Sequence, residues 1–123
     1  MNQDNINGMS VSELVDRFTA IALEQDKALF KDDIPKFNSL YRQMDDVKNE
    51  LKARQGDQRR ALLPLFDHPN LQVRLKAAVT TLAVAADAAR KELKNIAVSR
   101  RQPQAGDAGM LLRGLEDGSL VPN

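Results

Sequence analysis

The sequence has no cysteine and no tryptophan, and aromatic residues make up only 4% of its 123 residues. Without cysteine the chain forms no disulfide, no thiolate metal site and no thiol nucleophile. Its single histidine, His68, is too few for a metal site built on two or three histidines. Because aromatics are scarce, the core must consist of Leu, Val, Ile, Ala and Met, a composition that favours helices over strands.

Long apolar segments are missing too. No apolar run approaches the ~18 residues that a membrane-spanning helix needs, and the N-terminus is polar, without the apolar stretch of a signal peptide. The length suits one domain with its own core. We therefore expect a cytoplasmic protein with no cofactor and no bound metal.

The net charge of +1 conceals an uneven distribution along the chain. Residues 42–101 hold thirteen basic and seven acidic side chains, a net of +6, whereas residues 1–41 and 102–123 carry −3 and −2. A basic middle segment between acidic flanks suits either an acidic partner or pairing between segments of the same chain.

Helical periodicity is clearest in the first half of the chain. Ser10 and Glu13 have the spacing of a capping box, and two apolar stripes with intervals of three and four follow. The first stripe consists of Leu14, Phe18, Ile21, Gln25 and Ala28, and the second of Phe37, Leu40, Met44, Val47 and Leu51. An Asp32–Pro35 turn separates them, and Asp32 or Asp33 caps the second helix. The two should form an antiparallel hairpin.

The second half predicts four more helices. They span 61–66 with Pro64 inside, 71–83 capped by Asn70 and apolar on nearly all sides, 85–99, and 107–116. The last carries Met110, Leu111, Leu112 and Leu115, which cap the domain or dock on a second copy. The chain is then a monomer or a weak homodimer. No segment alternates apolar and polar residues over strand length.

The stretch Ala61–Asp67 followed by Pro69–Leu82 resembles a HEAT repeat. That repeat pairs a short Leu-rich helix with an Asp-Pro turn, a Val-Arg step and a second helix with paired alanines. Here Val73-Arg74 and Ala77-Ala78 carry the resemblance most specifically. The paired small residues allow close stacking, and Arg74 can reach a turn carboxylate such as Asp67, so we assign both a structural role. Repeats of this kind need about three stacked copies.

The whole chain also resembles a small bacterial family of unknown function with an armadillo/HEAT-like superhelix, through 22–28, 38–44 and the repeat. The resemblance implies an all-α fold, a short α-α superhelix of about six helices in three antiparallel hairpins. We expect a flexible N-terminus over 1–9, one helical-repeat domain over 10–116 with its best repeat at 58–84, and a frayed tail over 117–123. HEAT-like proteins mostly bind other proteins, so the resemblance adds no activity.

Side chains with catalytic chemistry have structural interpretations. His68 lies in a turn without a nucleophile beside it, and Asp32-Asp33 and Asp45-Asp46 suit capping and solvent-exposed pairing. Gln25 and Tyr41 could face each other and form a buried hydrogen bond that sets the register of the hairpin. We therefore predict no enzyme.

The basic segment is the remaining candidate for function. If the second helix of each hairpin lines a concave face, a partner-binding surface would include Lys48, Lys52, Arg59 and Lys76. These residues predict a non-enzymatic protein-interaction module, an adaptor or an inhibitor of the immunity type, whose partner is a protein and acidic. The alternative is nucleic-acid binding through residues 42–101, which lack the stacking aromatics expected there.

Overall fold

The computed structural model of the chain describes residues 3–123, with side chains from Ile6 onward, and every regular element in this range is helical. The five α-helices are α1 (Val11–Phe30), α2 (Ile34–Ala53), α3 (Leu71–Thr81), α4 (Ala86–Val98) and α5 (Gln104–Asp117), and two 3-10 segments span Gln3–Gly8 and Gln58–Asp67. The predicted all-α fold is confirmed.

Two element predictions need correction. The helix expected at 61–66 is part of a 3-10 segment that contains Pro64, whose ring would clash in an α-helix with the carbonyl four residues earlier. The last helix begins at Gln104 rather than near 107, since Gln104 and Ala105 are buried and extend the helix into its core contact.

The chain divides into two compact units, Met1–Leu62 and Leu63–Asn123. The first contains α1 and α2, and the second contains α3, α4 and α5. A single helical-repeat domain over 10–116, stacked as a superhelix, stays a prediction. Met1 and Asn2, part of the N-terminus expected to be flexible, lie outside the described residues.

The hairpin of the first unit forms as its two stripes predict. The capping box at the start of α1 is present: Glu13 N donates to Ser10 Oγ at 3.1 Å, and Ser10 N donates to Glu13 Oε1 at 2.8 Å. These bonds satisfy two backbone donors that have no partner inside the helix. The core is then closed by the fully buried side chains Leu14, Phe18, Val47 and Leu51.

Arg54, just after α2, connects the N-terminal 3-10 segment to the hairpin. Its Nη2 donates to the carbonyl oxygens of Ile6 and Met9 at 3.3 and 2.8 Å, and its Nε lies 2.6 Å from Glu50 Oε2. Ile6 itself is buried. One guanidinium therefore holds the carbonyl end of the 3-10 segment, where backbone acceptors have no helical partner.

The second unit is organised around α4, which packs against both α3 and α5. Its core is a cluster of buried aliphatic side chains: Leu71, Leu75, Ala78, Leu82, Ala89, Leu93, Ile96 and Ala108. Asn70 caps α3 as predicted, accepting from Gln72 N at 2.9 Å and Val73 N at 3.1 Å. A buried pair links α3 to α5, in which Gln104 Nε2 donates to Gln72 Oε1 at 2.9 Å. No periodicity in the sequence indicates this polar contact.

Helix α5 closes the cluster with Leu111, Leu112 and Leu115, whereas Met110 is 65% exposed. Beyond α5, within the segment expected to be frayed, Leu120 folds back on it: Leu120 N donates to Gly114 O at 2.9 Å. A Cβ at Gly114 would lie 3.0 Å from Leu120 Cβ, a tight contact, so a larger residue there would have to displace Leu120 by a few tenths of an ångström.

We predict that Arg54→Met releases the N-terminal 3-10 segment without unfolding the hairpin. Amide hydrogen exchange of residues 6–9 should accelerate, because the carbonyls that Arg54 holds lose their donor, while exchange within α1 stays slow. Arg42→Met is the matched control, since Arg42 is an exposed arginine within α2. Equal exchange at residues 6–9 in the two variants would contradict the role of Arg54.

Candidate functional site

Of the four residues predicted to form a cationic face, Arg59 departs most from the prediction. This side chain is buried, with a relative exposure of 5%, and its Nε and Nη2 bind Asp57 at 2.9 and 2.7 Å. Hydrogen bonds from Arg59 hold the pKa of the Asp57 carboxyl below its ordinary value. Arg59 is therefore not a surface cation, because the neighbouring carboxylate turns it inward and neutralises it.

The three predicted lysines differ in their surroundings. On α2, Lys48 Nζ lies 2.8 Å from Asp45 Oδ1, and Lys52 is exposed. Lys76 belongs to α3 in the other unit and is half-buried; burial lowers the pKa of its ammonium, and the Asp107 carboxylate partly offsets that shift. Lys52 is thus the most accessible of the four predicted residues, and a continuous basic face stays a prediction.

Arg74 has a structural contact, but with a different partner from the one expected. Its Nε donates to Glu92 Oε2 on α4 at 2.7 Å, and the Glu92 side chain is only 8% exposed. The expected partner, Asp67, is exposed at the end of the 3-10 segment, before α3 begins. Helix packing decided the pairing, since α4 brings a buried carboxylate that needs a charged donor.

The predicted pair of Gln25 and Tyr41 lies in the hairpin. Gln25 is fully buried, with its Nε2 3.9 Å from Met44 Sδ, whereas Tyr41 is 55% exposed. The hydrogen bond between them stays a prediction. His68, interpreted as a turn residue, accepts a hydrogen bond from Asn70 N at its Nδ1, at 2.9 Å.

Replacing Arg74 by Met should lower the free energy of unfolding by about 1–3 kcal/mol, because a buried carboxylate loses its charged partner. Asp67→Ala should change it by less than about 0.5 kcal/mol, as a surface substitution. Urea denaturation of the full chain measures both. The Arg74→Met/Glu92→Leu double variant should lose less than the two single losses together, and strict additivity would argue against the pair.

The most exposed large apolar side chains of the first unit gather where α1 meets α2, a region that the sequence predicts only as a turn. Phe30, the last residue of α1, is 92% exposed, and Ile34, the first of α2, is 62% exposed. Ile34 borders an open depression of about 80 Å³, whose lining consists of Ala28, Leu29, Asp32, Asp33, Ile34 and Phe37. Pockets that enclose a small-molecule ligand usually hold about 300–1,000 Å³, so this one suits a protein side chain better.

The turn is built by two aspartates with different tasks. Asp33 N donates to Ala28 O at 2.8 Å and Asp32 N to Leu29 O at 3.2 Å, which satisfies the last carbonyls of α1. Asp32 takes the left-handed conformation, with φ +57°, that this arrangement usually reserves for glycine. Asp33 then caps α2, its Oδ1 accepting from Lys36 N at 3.2 Å.

One periodicity could have located this surface from the sequence. The first stripe ends at Ala28, and Phe30 comes two residues later, about 200° further round the helix. An aromatic side chain on the face opposite the stripe, next to a helix end, is expected to be exposed. The depression itself depends on how the two helices meet, which the stripes do not specify.

Asp32→Gly should raise the free energy of unfolding by about 0.5–1 kcal/mol. Relief of the left-handed conformation, about 1–2 kcal/mol, exceeds the freedom that glycine adds to the unfolded chain, about 0.4–1 kcal/mol. Asp33→Ala, the neighbouring control, should lower it by about 0.5–2 kcal/mol through loss of the cap. Both values come from urea denaturation, and a less stable Asp32→Gly variant would show that the Asp32 conformation is unstrained.

Two other features, a membrane-spanning helix and a metal-binding cluster, are absent from the described residues. Within residues 3–123 no helix is long and apolar enough to cross a membrane. Among the side chains described from Ile6 onward, no three His, Asp or Glu residues are grouped to hold a metal ion.

The fold defines a small all-α protein made of two compact helical units. A family model described as "Domain of unknown function (DUF2019)" matches residues 12–116, and the chain belongs to this family. The crystal structure of the protein RPA1889 from Rhodopseudomonas palustris CGA009 is similar, with 50% sequence identity and a TM-score of 0.94. The alignment covers 96% of this chain and 98% of that one. None of the curated proteins matches the sequence. The resemblance to a small family of unknown function is thereby confirmed, while a HEAT or armadillo repeat stays a prediction.

Proposed function

We propose that this protein is a non-enzymatic protein-interaction module, an adaptor or an inhibitor of the immunity type, that binds another protein through a helical surface. The observation that carries the proposal is the exposed apolar pair at the α1–α2 turn, Phe30 and Ile34. Single exposed apolar residues are ordinary. Here Ile34 lines an apolar depression and Phe30, four residues earlier, is almost fully exposed, and exposed apolar surface of this kind supports a role in binding.

The rigidity of the turn supports this role. Both helices that form it are anchored by fully buried residues, and its backbone is held by the hydrogen bonds of Asp32 and Asp33. A surface that is already ordered loses little conformational freedom when a partner binds, so more of the contact energy appears as affinity. Aromatic side chains such as Phe30 are also enriched at the centres of interfaces.

The HEAT-like part of the proposal is supported by the start of α3. Asn70 caps the helix after a turn, and the paired residues Ala77 and Ala78 are both fully buried. Small buried residues allow neighbouring helices to approach closely, as in stacked helical repeats. We extend the proposal to a cytoplasmic location, in keeping with the absence of cysteine from the sequence.

An acidic protein partner is the form of this proposal that the basic segment favours. Its support now comes mainly from Lys52 and Lys48, since Arg59 is buried against Asp57 and Lys76 is half-buried near Asp107. The α1–α2 turn and the lysines of α2 are therefore two separable surfaces for the same function. Nucleic-acid binding through 42–101 is the competing proposal, supported by exposed cations such as Lys91 and Lys94 on α4.

The test is a tagged pull-down from nuclease-treated lysate of the source organism at low and moderate salt. One protein should be retained by the wild-type chain and lost by Phe30→Ser/Ile34→Ser, by roughly 30-fold if both are central contacts. Val98→Ser, which removes a 78% exposed valine of the other unit, should retain it.

Three results would redirect the proposal. Loss only in Lys48→Ser/Lys52→Ser would move the binding surface to α2 and favour the acidic partner. Recovery of nucleic acid without nuclease, falling steeply with salt, would replace protein binding by the competing proposal. Retention of nothing by the wild-type chain would remove the support for an interaction module.

A further inference from the structure

We propose that the depression at the α1–α2 turn receives a bulky apolar side chain from a short partner segment, and that a Lys or Arg beside it in that segment pairs with Asp32. This inference rests on the proposed function and specifies its partner. It reverses the charge expected from the basic middle segment, because it assigns recognition to an acidic rim rather than to lysines.

The composition of the lining points to this ligand. Four of the six lining residues are apolar, Ala28, Leu29, Ile34 and Phe37, and the other two are aspartates. An apolar side chain that packs on an apolar floor leaves water, which stabilises the bound state by roughly 25 cal/mol for each Å² of apolar surface buried. The two carboxylates on its edge make a cation the complementary neighbour.

The two carboxylates are not equivalent. Asp33 is engaged by its capping bond from Lys36 N. The Asp32 carboxylate is exposed, and none of the side chains described from Ile6 onward bonds to it. Lys31 and Lys36 flank the turn in the sequence but do not line the depression. Asp32 is thus the acceptor available to a partner.

The size of the surface favours a short segment over a second copy of the chain. A stable interface between folded proteins buries about 1,200–2,000 Å² in total, with about 20–30 residues on each side. The depression has only six lining residues. One apolar side chain and its neighbour match that extent, as when a peptide inserts an anchor residue into a preformed site.

The experiment selects ligands from a phage-displayed library of random 12-residue peptides on the immobilised full chain. Enriched peptides should share a bulky apolar residue next to, or one turn from, a Lys or Arg. Synthetic peptides should then bind Ile34→Ser at least tenfold more weakly than wild type. Asp32→Asn should weaken binding about two- to five-fold at low salt, as expected for an exposed ion pair. Asp16→Asn, an exposed aspartate of α1, and Val98→Ser should leave binding unchanged.

Each other result overturns the inference in a recognisable way. Peptides sensitive to Ile34→Ser but without a basic residue, and insensitive to Asp32→Asn, would remove the cation and leave the proposed function standing. Peptides insensitive to Ile34→Ser, or no enriched peptide, would remove the depression as the site, while the pull-down judges the function separately. A concentration-dependent dimer in analytical ultracentrifugation, abolished by Ile34→Ser, would assign the surface to a second copy.

Discussion

This structure depends on closing its helix pairs almost entirely with aliphatic side chains, since among the described residues only Phe18 contributes a fully buried aromatic ring. Aliphatic cores gain stability through close packing, so the helices must approach one another along continuous stripes. Small residues such as Ala22, Ala78 and Ala108 make that approach possible because they are completely buried. The hairpin turn and the exposed side chains beside it follow from this requirement, because two long helices meet at a short connection.

Polar groups enter these aliphatic cores only with partners. The Gln72–Gln104 amides and the Arg74–Glu92 ion pair each join two helices of the second unit, at 2.9 and 2.7 Å. An unpaired polar group at such positions would destabilise the fold by more than its pairing stabilises it. These contacts therefore favour one helix register over alternatives that an aliphatic core would tolerate. The same reasoning explains why Arg59 lies inside: Asp57, two residues away, neutralises it.

The proposed binding surface differs from these cores, because its apolar side chains are exposed to solvent. At the α1–α2 turn the chain leaves Phe30 and Ile34 in water and holds Asp32 in a conformation suited to glycine. Neither the exposure of these apolar side chains nor the left-handed conformation of Asp32 increases stability, yet the surrounding hydrogen bonds keep the turn ordered. An ordered, apolar and acidic turn suits the interaction module that we propose and the apolar and basic segment that we propose as its partner.

The sequence alone determined the helices, because their signals are local. Stripes at intervals of three and four, the Ser10–Glu13 capping box and the Asn70 cap each involve residues within a few positions of one another. Only the tertiary structure decided which charges pair and which surface stays open. Arg74 pairs with Glu92, eighteen residues away, rather than with Asp67, because helix packing places that buried carboxylate next to it. The depression beside Ile34 likewise exists only where two helices meet. The periodicity of a single helix does not specify how the ends of two helices pack.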